Sequence, residues 1–228
     1  MKNLIISVIA ISFSICSTVK SQEITKRILG KSYSNENPKE LLYTEKRNHF
    51  VGGFSSEYIE NDKVFATKNV KESKLPWQPS FELNYSSIDY GLKVSSQGNK
   101  ANISFKKKGS KLKQSQISID SSTVWDSGVH FYILSQWNQL VTGKPVTFKL
   151  LVAEEADVFS FRLRLLSKKG TFPVRFALEP QSSVLRWLLD PIIITYNSNK
   201  ELINYEGISD IKDQNYKNYS VRIQYSLN

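Results

Sequence analysis

The chain has 228 residues, with 31 Lys and Arg against 21 Asp and Glu, which gives a formal net charge of +10 at pH 7. Hydrophobic residues make up 40% of the chain and aromatic residues 12%, a composition that excludes an intrinsically disordered protein. Two His and one Cys exclude a disulfide framework and leave little for a histidine-rich metal site, so we expect no metal and no other cofactor.

The first 21 residues are typical of a secretory signal peptide. A short, positively charged start precedes an apolar run over 4–15, and Val19 and Ser21 stand at the −3 and −1 positions of a cleavage site. The run is about 12 residues long, too short for a membrane anchor, which needs roughly 20. Cys16 suits a lipoprotein, but Ile15 stands where that processing requires a small residue. We expect cleavage near Ser21 and a periplasmic or otherwise exported chain with no transmembrane helix.

The rest of the chain has mostly the pattern of strands. Residues 22–40 are polar and predict a flexible lead-in or a loosely attached first strand, whereas 41–228 predict a single β-rich domain. Apolar residues at helical spacing predict a helix over 128–141, and a second, short helix is predicted over 182–189. Alternation predicts strands over 56–60, 63–68, 81–85, 91–95, 101–106, 114–119, 146–152, 158–166, 174–178, 192–196, 201–205 and 219–225.

These elements predict a mainly β fold, an antiparallel curved sheet with one or two packed helices. Two variants fit the pattern, a half-barrel and a complete lipocalin-like barrel. Either variant has a concave face that side chains, a helix or a ligand must fill. That face is where we expect the function to lie.

Several motifs of the C-terminal half carry a resemblance to a known family. They are Trp137-Asn138-Gln139-Leu140, Phe176-Ala177-Leu178-Glu179-Pro180, Leu185-Arg186-Trp187-Leu188 and Tyr205-Glu206-Gly207. Over roughly residues 120–226 the chain resembles an uncharacterised family of exported bacterial proteins, a domain of unknown function of half-barrel type. More distantly, such domains are similar in shape to periplasmic lipoprotein carriers. The resemblance implies an envelope location and a β-rich fold, and it carries over no catalytic residues.

Arginines on two predicted strands are candidate ligand-binding residues. In the strand over 158–166, Arg162 and Arg164 share one face, and Arg175 lies on the next strand. If they line the concave side, they would hold an anionic head group through bidentate contacts. The alternative is a solvated outer face with surface ion pairs that contribute little. We also count Trp187 as a candidate, either as a plug in the core or mouth of the barrel or as a gate over a ligand cavity.

A basic loop is a candidate for contact with a membrane surface. Its five lysines are Lys106, Lys107, Lys108, Lys111 and Lys113. Anionic lipid or another anionic envelope surface would attract them, whereas export argues against nucleic acid as the partner. The alternative is a solvated hairpin tip that protects the edge of a sheet.

A catalytic set is harder to assemble from this sequence. Asp126, Ser127 and His130 could share a helix face as the parts of a hydrolase, but no Gly-x-Ser-x-Gly motif presents the serine. His49 is better explained as a strand residue than as a metal ligand with His130. We therefore predict a non-enzymatic envelope protein that binds a hydrophobic or amphipathic ligand. The alternatives are an envelope hydrolase and a ligand-free interaction or assembly protein.

Overall fold

The computed structural model describes residues 23–227, so the predicted signal peptide, residues 1–21, lies outside them. Within these residues no helix is both long enough and apolar enough to cross a bilayer. The helices are α1 (Val129–Ser135), α2 (Trp137–Leu140) and α3 (Ser183–Leu188), and a 3-10 turn covers Asp126–Gly128. The strands are β1 (Ile24–Ser34), β2 (Leu41–Phe50), β3 (Gly53–Glu60), β4 (Lys63–Lys71), β5 (Ser80–Tyr85), β6 (Tyr90–Gln97), β7 (Lys100–Lys107), β8 (Lys113–Ser118), β9 (Thr123–Trp125), β10 (Val146–Val152), β11 (Asp157–Leu165), β12 (Val174–Pro180), β13 (Ile192–Tyr196), β14 (Leu202–Lys212) and β15 (Asn218–Leu227).

The strands that the structure describes form one curved, open sheet. Their order is β8-β7-β6-β5-β4-β3-β2-β1-β15-β14-β13-β12-β11-β10-β9. Every neighbouring pair is antiparallel except β9 and β10, which are parallel. The predicted mainly β fold with a curved antiparallel sheet is confirmed. Because the sheet does not close, the half-barrel variant describes it and the complete barrel does not.

The first strand differs from its prediction. We expected a flexible lead-in over 22–40 or a loosely attached strand, but β1 lies in the middle of the sheet, between β2 and β15. Gly30, for example, pairs with Glu45 on one side and with Tyr225 on the other. The polar sequence misleads here because main-chain pairing on both sides holds the strand and requires no run of apolar side chains.

The hairpin between β3 and β4 agrees with the sequence. Asn61 and Asp62 have φ of 49° and 59°, which is the left-handed backbone that a two-residue hairpin turn requires. Asn and Asp tolerate this conformation better than most residues do. The turn therefore places β3 and β4 in register without strain.

The long helix predicted over 128–141 is divided into two. A bend at Gln136 separates α1 from α2, so that Ile133, Trp137 and Leu140 can all be buried. The Trp137 ring meets the edge of Phe176 at 5.4 Å between centroids. Gly128, before α1, lies so close to the main chain of Trp77 that an added Cβ would stand 2.1 Å from its carbonyl oxygen. A glycine is therefore required where this connection crosses the start of α1.

Two hydrophobic clusters stabilise the concave side. One extends over β2–β7, β14 and β15, reaches β9 and β10, and includes Tyr43, Leu83 and Val94. The other lies between α1, α2 and β10–β13, with Leu163 and Phe176 at its centre. Helix α1 also contacts the first cluster through Phe131, and a space remains between α1 and the strands in the middle of the sheet.

Candidate ligand cavity

A cavity of about 940 Å³ lies on the concave side of the sheet. The 3-10 turn and α1 form one wall with β10, β12 and β13, and strands β1–β4, β14 and β15 form the opposite wall. Its volume is near the upper end of the roughly 300–1,000 Å³ that small-molecule sites occupy. The space is therefore large enough for an extended ligand.

One wall of the cavity is apolar. It consists of Leu134, Leu150, Val152, Leu178, Ile192 and Ile194. Leu178 of β12 pairs with Ile192 of β13, and both line the cavity. The next pair along these strands, Ala177 and Ile193, points to the other face of the sheet, because side chains alternate along a strand. The apolar face of these two strands thus forms part of the packed core and part of the cavity wall.

A cluster of one lysine and two aspartates joins the two walls, because Lys68 of β4 and Asp210 of β14 belong to the opposite wall and Asp126 belongs to the 3-10 turn. The Lys68 Nζ atom lies 2.6 Å from Asp210 Oδ2 and 3.2 Å from Asp126 Oδ2. The Lys68 side chain is only 7% exposed, whereas those of Asp126 and Asp210 are 41% and 37% exposed. The lysine therefore lies at the buried end of the cluster, and carboxyl oxygens of the two aspartates face the cavity.

The charges of this cluster stabilise one another. Burial alone would lower the pKa of Lys68, but Asp126 and Asp210 overcome this effect and hold that pKa above its ordinary value. Burial would raise the pKa of Asp210, but the charge of Lys68 and its hydrogen bond lower that pKa. Lys68 and Asp210 therefore stabilise each other's charged form.

A second ion pair lies along the opposite wall. Glu45 is buried and accepts a hydrogen bond of 2.7 Å from the Ser56 hydroxyl, and its Oε1 atom lies 2.8 Å from Arg47 Nη2. The Arg47 guanidinium also lies over the rings of Phe54 and Tyr225, at 4.9 and 5.7 Å from their centroids. These contacts leave Glu45 and Arg47 well satisfied, so they shape the wall and balance each other's charge.

Both histidines line the cavity. His130 Nδ1 lies 3.0 Å from the Tyr196 hydroxyl, and the two rings stack at 13°. His49 packs on Phe54. Burial, supported by nearby positive charge, lowers the pKa of each histidine to about 4, so both are neutral at pH 7.

The possible hydrolase set is brought together in space but not connected. Asp126, Ser127 and His130 all line the cavity. Ser127 donates its hydroxyl to Asp126 Oδ1 at 3.1 Å, while the other oxygen of that carboxylate binds Lys68. The His130 ring bonds Tyr196, and no Ser127–His130 hydrogen bond occurs among residues 23–227. The relay from acid through histidine to serine that a hydrolase requires is therefore not assembled. Within the same range, no group of three or more His, Cys, Asp or Glu residues is placed to hold a metal ion.

The arginines lie on the wrong face for the predicted role. Arg162 and Arg164 bind Glu179, with Arg162 Nη2 at 2.6 Å and Arg164 Nε at 3.0 Å from Glu179 Oε1. Glu179 is buried, and despite that burial the two arginines lower its pKa. In the register of β11 and β12, Arg162 pairs with Glu179 and the inward-facing Leu163 pairs with Leu178.

Of the two alternatives that the sequence left open, the structure therefore agrees with the outer face, and Arg162 and Arg164 do not line the concave side. Arg175 is exposed on β12 and likewise does not line the cavity. The alternation of the sequence shows which side chains share a face of the strand, but it does not show which face is concave. The concave face is the one on which α2 packs. Since Trp137 of α2 packs on Phe176, the apolar phase of β12 is inside and the arginines are outside.

The prediction that Trp187 fills or closes the barrel is also wrong. The Trp187 side chain is 86% exposed, and α3 has no buried residue. Ser182 caps the helix by accepting a hydrogen bond from the Leu185 N–H, as expected for a serine at that position. The Arg186 guanidinium donates to the Pro180 and Gln181 carbonyls, which ties the helix to the end of β12.

The lysine-rich loop forms the turn between β7 and β8. Lys106 Nζ lies 2.6 Å from Asp89 Oδ1, and Lys107 Nζ lies 5.8 Å from the centre of the Tyr216 ring. Lys108, Lys111 and Lys113 are exposed and have no ion-pair partner within the part of the chain that the structure describes. Contact of this loop with a membrane stays a prediction.

The sequence did contain a signal for the cluster that was missed. On β4, Lys68 occupies the same face as Ala66 and Val70, both of which are buried. A charged residue in the apolar phase of a strand must find a partner inside the protein. That rule indicates a buried ion pair at Lys68, although it does not identify Asp126 and Asp210 as the partners.

The fold and cavity define a class of protein, an open half-barrel whose concave face retains a space large enough for a ligand. The sequence matches no protein-family model, and no curated protein matches it. Among solved structures, the chain is similar to a β-barrel-like protein of the domain of unknown function DUF1849 from Brucella abortus. The identity is 9% and the TM-score 0.45, over 91% of this chain and 98% of that one.

Proposed function

We propose that the protein is a non-enzymatic binding protein for an amphipathic molecule, which occupies the cavity on the concave face. The observation that carries this proposal is that the cavity combines an apolar wall with a charged cluster. The wall that includes Leu150, Leu178 and Ile194 would hold the apolar part of the ligand, and the carboxyl groups of Asp126 and Asp210 would hold its polar group. Small-molecule sites commonly combine a large apolar surface with a few polar groups that fix orientation.

The polar group of the ligand is constrained by what faces it. Asp126 and Asp210 present acceptor oxygens to the cavity, and their donor Lys68 is buried behind them. A ligand with hydroxyl or amine groups would donate hydrogen bonds to these oxygens. A bare carboxylate or phosphate would find no exposed donor in this cluster, because Asp126 and Asp210 present acceptor oxygens and Lys68 is buried behind them.

The proposal includes export of the protein. The pattern over 1–21, with its short apolar run and small residues before the expected cleavage position, favours a signal peptide and a periplasmic location. A carrier or sensor of an amphipathic envelope molecule would need that location. Mass measurement of the protein from its own envelope fraction tests both statements, since a cleaved chain starts at Gln22.

The experiment is gentle native mass spectrometry of that protein, followed by organic extraction and analysis of the extract. We expect a stoichiometric mass excess over the 22–228 chain, and extraction should release it as a lipid-like molecule. A bare chain purified without detergent would contradict the proposal and would favour an interaction protein with an empty concave face.

A pair of variants on β13 makes the test specific to the cavity. Ile192 and Ile193 are adjacent and both half-buried, but Ile192 lines the cavity and Ile193 does not. We expect Ile192→Asp to reduce the bound fraction at least about tenfold, since a charge on the apolar wall must be desolvated beside the ligand. Ile193→Asp carries the same charge on the other face and should retain the ligand. Equal loss in both variants would assign the effect to folding, and equal retention would contradict binding at this wall.

A further inference from the structure

The outer surface of α3 is apolar and has no cover within residues 23–227. Val184, Leu185, Trp187 and Leu188 are between 42% and 86% exposed, and Leu189 just after the helix is 53% exposed. Isolated exposed apolar side chains are ordinary, but five within six consecutive residues form a continuous patch. We call residues 184–189 the α3 patch.

The α3 patch and the lysine-rich turn leave the sheet at the same edge. Between β7 and β12 every pairing is antiparallel, and an even number of pairings separates them, so the two strands run in the same direction. The C-terminal end of β7 leads into the turn that carries Lys108, Lys111 and Lys113, and the C-terminal end of β12 leads into α3. Leu112 in that turn is also 56% exposed.

Contacts between residues at this edge show that the curvature of the sheet brings distant turns close together. Lys107 of β7 lies over Tyr216 in the turn between β14 and β15. The Tyr90 hydroxyl, at the start of β6, donates to Glu154 in the turn between β10 and β11 at 2.8 Å. The first and second halves of the sheet therefore meet at the edge where the lysines and the α3 patch emerge.

We propose that this edge docks on the surface of an anionic lipid bilayer, with the α3 patch inserted among the lipids and the lysines at their head groups. Tryptophan favours the boundary between water and hydrocarbon, because its ring is apolar and its N–H is polar. Lysines beside an inserted apolar segment add attraction to anionic lipids. The chemistry of the edge thus combines the two signals that stable attachment to a membrane requires.

A second copy of the chain fits this surface less well. A stable protein interface buries about 800 Å² on each partner and involves roughly 20–30 residues a side. The α3 patch has six residues, and the neighbouring lysines of a second copy would repel one another. The docking inference does not depend on the proposed ligand, since none of the α3 patch residues lines the cavity.

Fluorescence quenching tests the docking at Trp187 itself. The 22–228 chain is mixed with vesicles of phosphatidylcholine and phosphatidylglycerol that contain brominated acyl chains, which quench tryptophans in contact with lipid. The other three tryptophans are Trp77, Trp125 and Trp137, of which the last two are buried. We expect quenching in the natural chain, its loss in Trp187→Phe and its retention in Trp77→Phe. Quenching that survives Trp187→Phe would overturn the proposal, because another part of the chain would then contact the lipid.

Matched variants test the two components separately. Leu188→Ser should weaken the quenching of Trp187. Val51→Ser should not, because Val51 is also an exposed apolar residue but lies on a turn at the opposite edge.

Replacing Lys108, Lys111 and Lys113 with Gln should weaken binding to anionic vesicles about fivefold for each lysine at low salt. The same change at Lys71, Lys74 and Lys100, exposed at the opposite edge, should have a much smaller effect. Equal effects of the two triple variants would overturn docking through this edge. A Trp187 emission shift that depends on protein concentration without vesicles would overturn it in favour of a second copy.

Discussion

At the scale of single residues, His130 should make the stability of the fold dependent on pH. Burial lowers the pKa of His130 to about 4 in the folded protein, whereas an exposed histidine in the unfolded chain has a pKa near 6.5. The unfolded chain therefore binds the proton first as the pH falls. The contribution of His130 is complete above about pH 6.5 and is lost as the pH falls toward 4.

The matched variant is His130→Gln, whose side chain can still bind the Tyr196 hydroxyl but does not titrate. We expect the free energy of unfolding, measured with urea, to fall about 2 kcal/mol less between pH 6.5 and 4 than in the natural chain. Some slope will remain, because burial lowers the pKa of His49 to about 4 as well. Carboxylates with lowered pKa values, such as Asp210 and Glu179, lose their contribution at still lower pH. An unchanged slope in the variant would show that His130 titrates normally in the folded protein.

The cavity illustrates which residues sequence can and cannot identify. The sequence indicates Asp126, Ser127 and His130 as the parts of a possible hydrolase, and all three do line the cavity, although they are not connected as a relay. It does not indicate that Lys68 and Asp210 meet, because they are 142 positions apart and come together only when the curved sheet brings β4 and β14 face to face. A single sequence contains local periodicity but does not specify which distant strands lie opposite one another.

At the scale of secondary-structure elements, β1 provides the sharpest test of the fold. Lys31 is exposed but sits in the middle of β1, where it pairs with Thr44 of β2 and Gln224 of β15. Lys31→Pro should lower the free energy of unfolding by about 3 kcal/mol or more, because proline removes a ladder N–H and fits poorly inside a central strand. The measurement is the urea midpoint of the full chain. Lys31→Thr loses the same charge but keeps the N–H, and it should change stability little. Equal stability of the two variants would mean that residues 24–34 are not held in the sheet.

Most elements could be predicted from periodicity, and the exceptions have a common cause. The strands over 63–68 and 146–152 and the short helix at 182–189 were predicted close to their places, because their apolar spacing or helix cap is local. By contrast, the sequence leaves open whether Arg162 and Arg164 point inward or outward, and it does not predict the exposure of Trp187. Those properties depend on which face of the sheet α1 and α2 pack against. That choice is made by tertiary packing and leaves no local pattern in the sequence.

At the scale of the whole molecule, the two halves of the open sheet are joined by a buried polar contact. Glu154, in the turn between β10 and β11, accepts a hydrogen bond from the Tyr90 hydroxyl at 2.8 Å, and its Oε1 atom forms an ion pair with Lys212 Nζ at 2.9 Å. The Lys212 side chain is 5% exposed, and its backbone N–H donates to the Tyr85 hydroxyl. One carboxylate therefore links β6 of the first half to β14 of the second, at the edge from which α3 emerges.

Glu154→Ala should loosen this closure. It leaves the buried Lys212 ammonium with only Asn218 as a hydrogen-bond partner among the described side chains, which costs about 1–3 kcal/mol. We expect a lower unfolding midpoint and faster amide hydrogen exchange in β6 and in the last residues of β14, where the two halves meet. The control is Glu155→Ala, which removes the same charge from an exposed neighbour without an ion pair in the described range. If both variants exchange alike, the halves of the sheet are held by their apolar clusters alone. If only Glu154→Ala opens them, this link determines how tightly the half-barrel closes around its cavity.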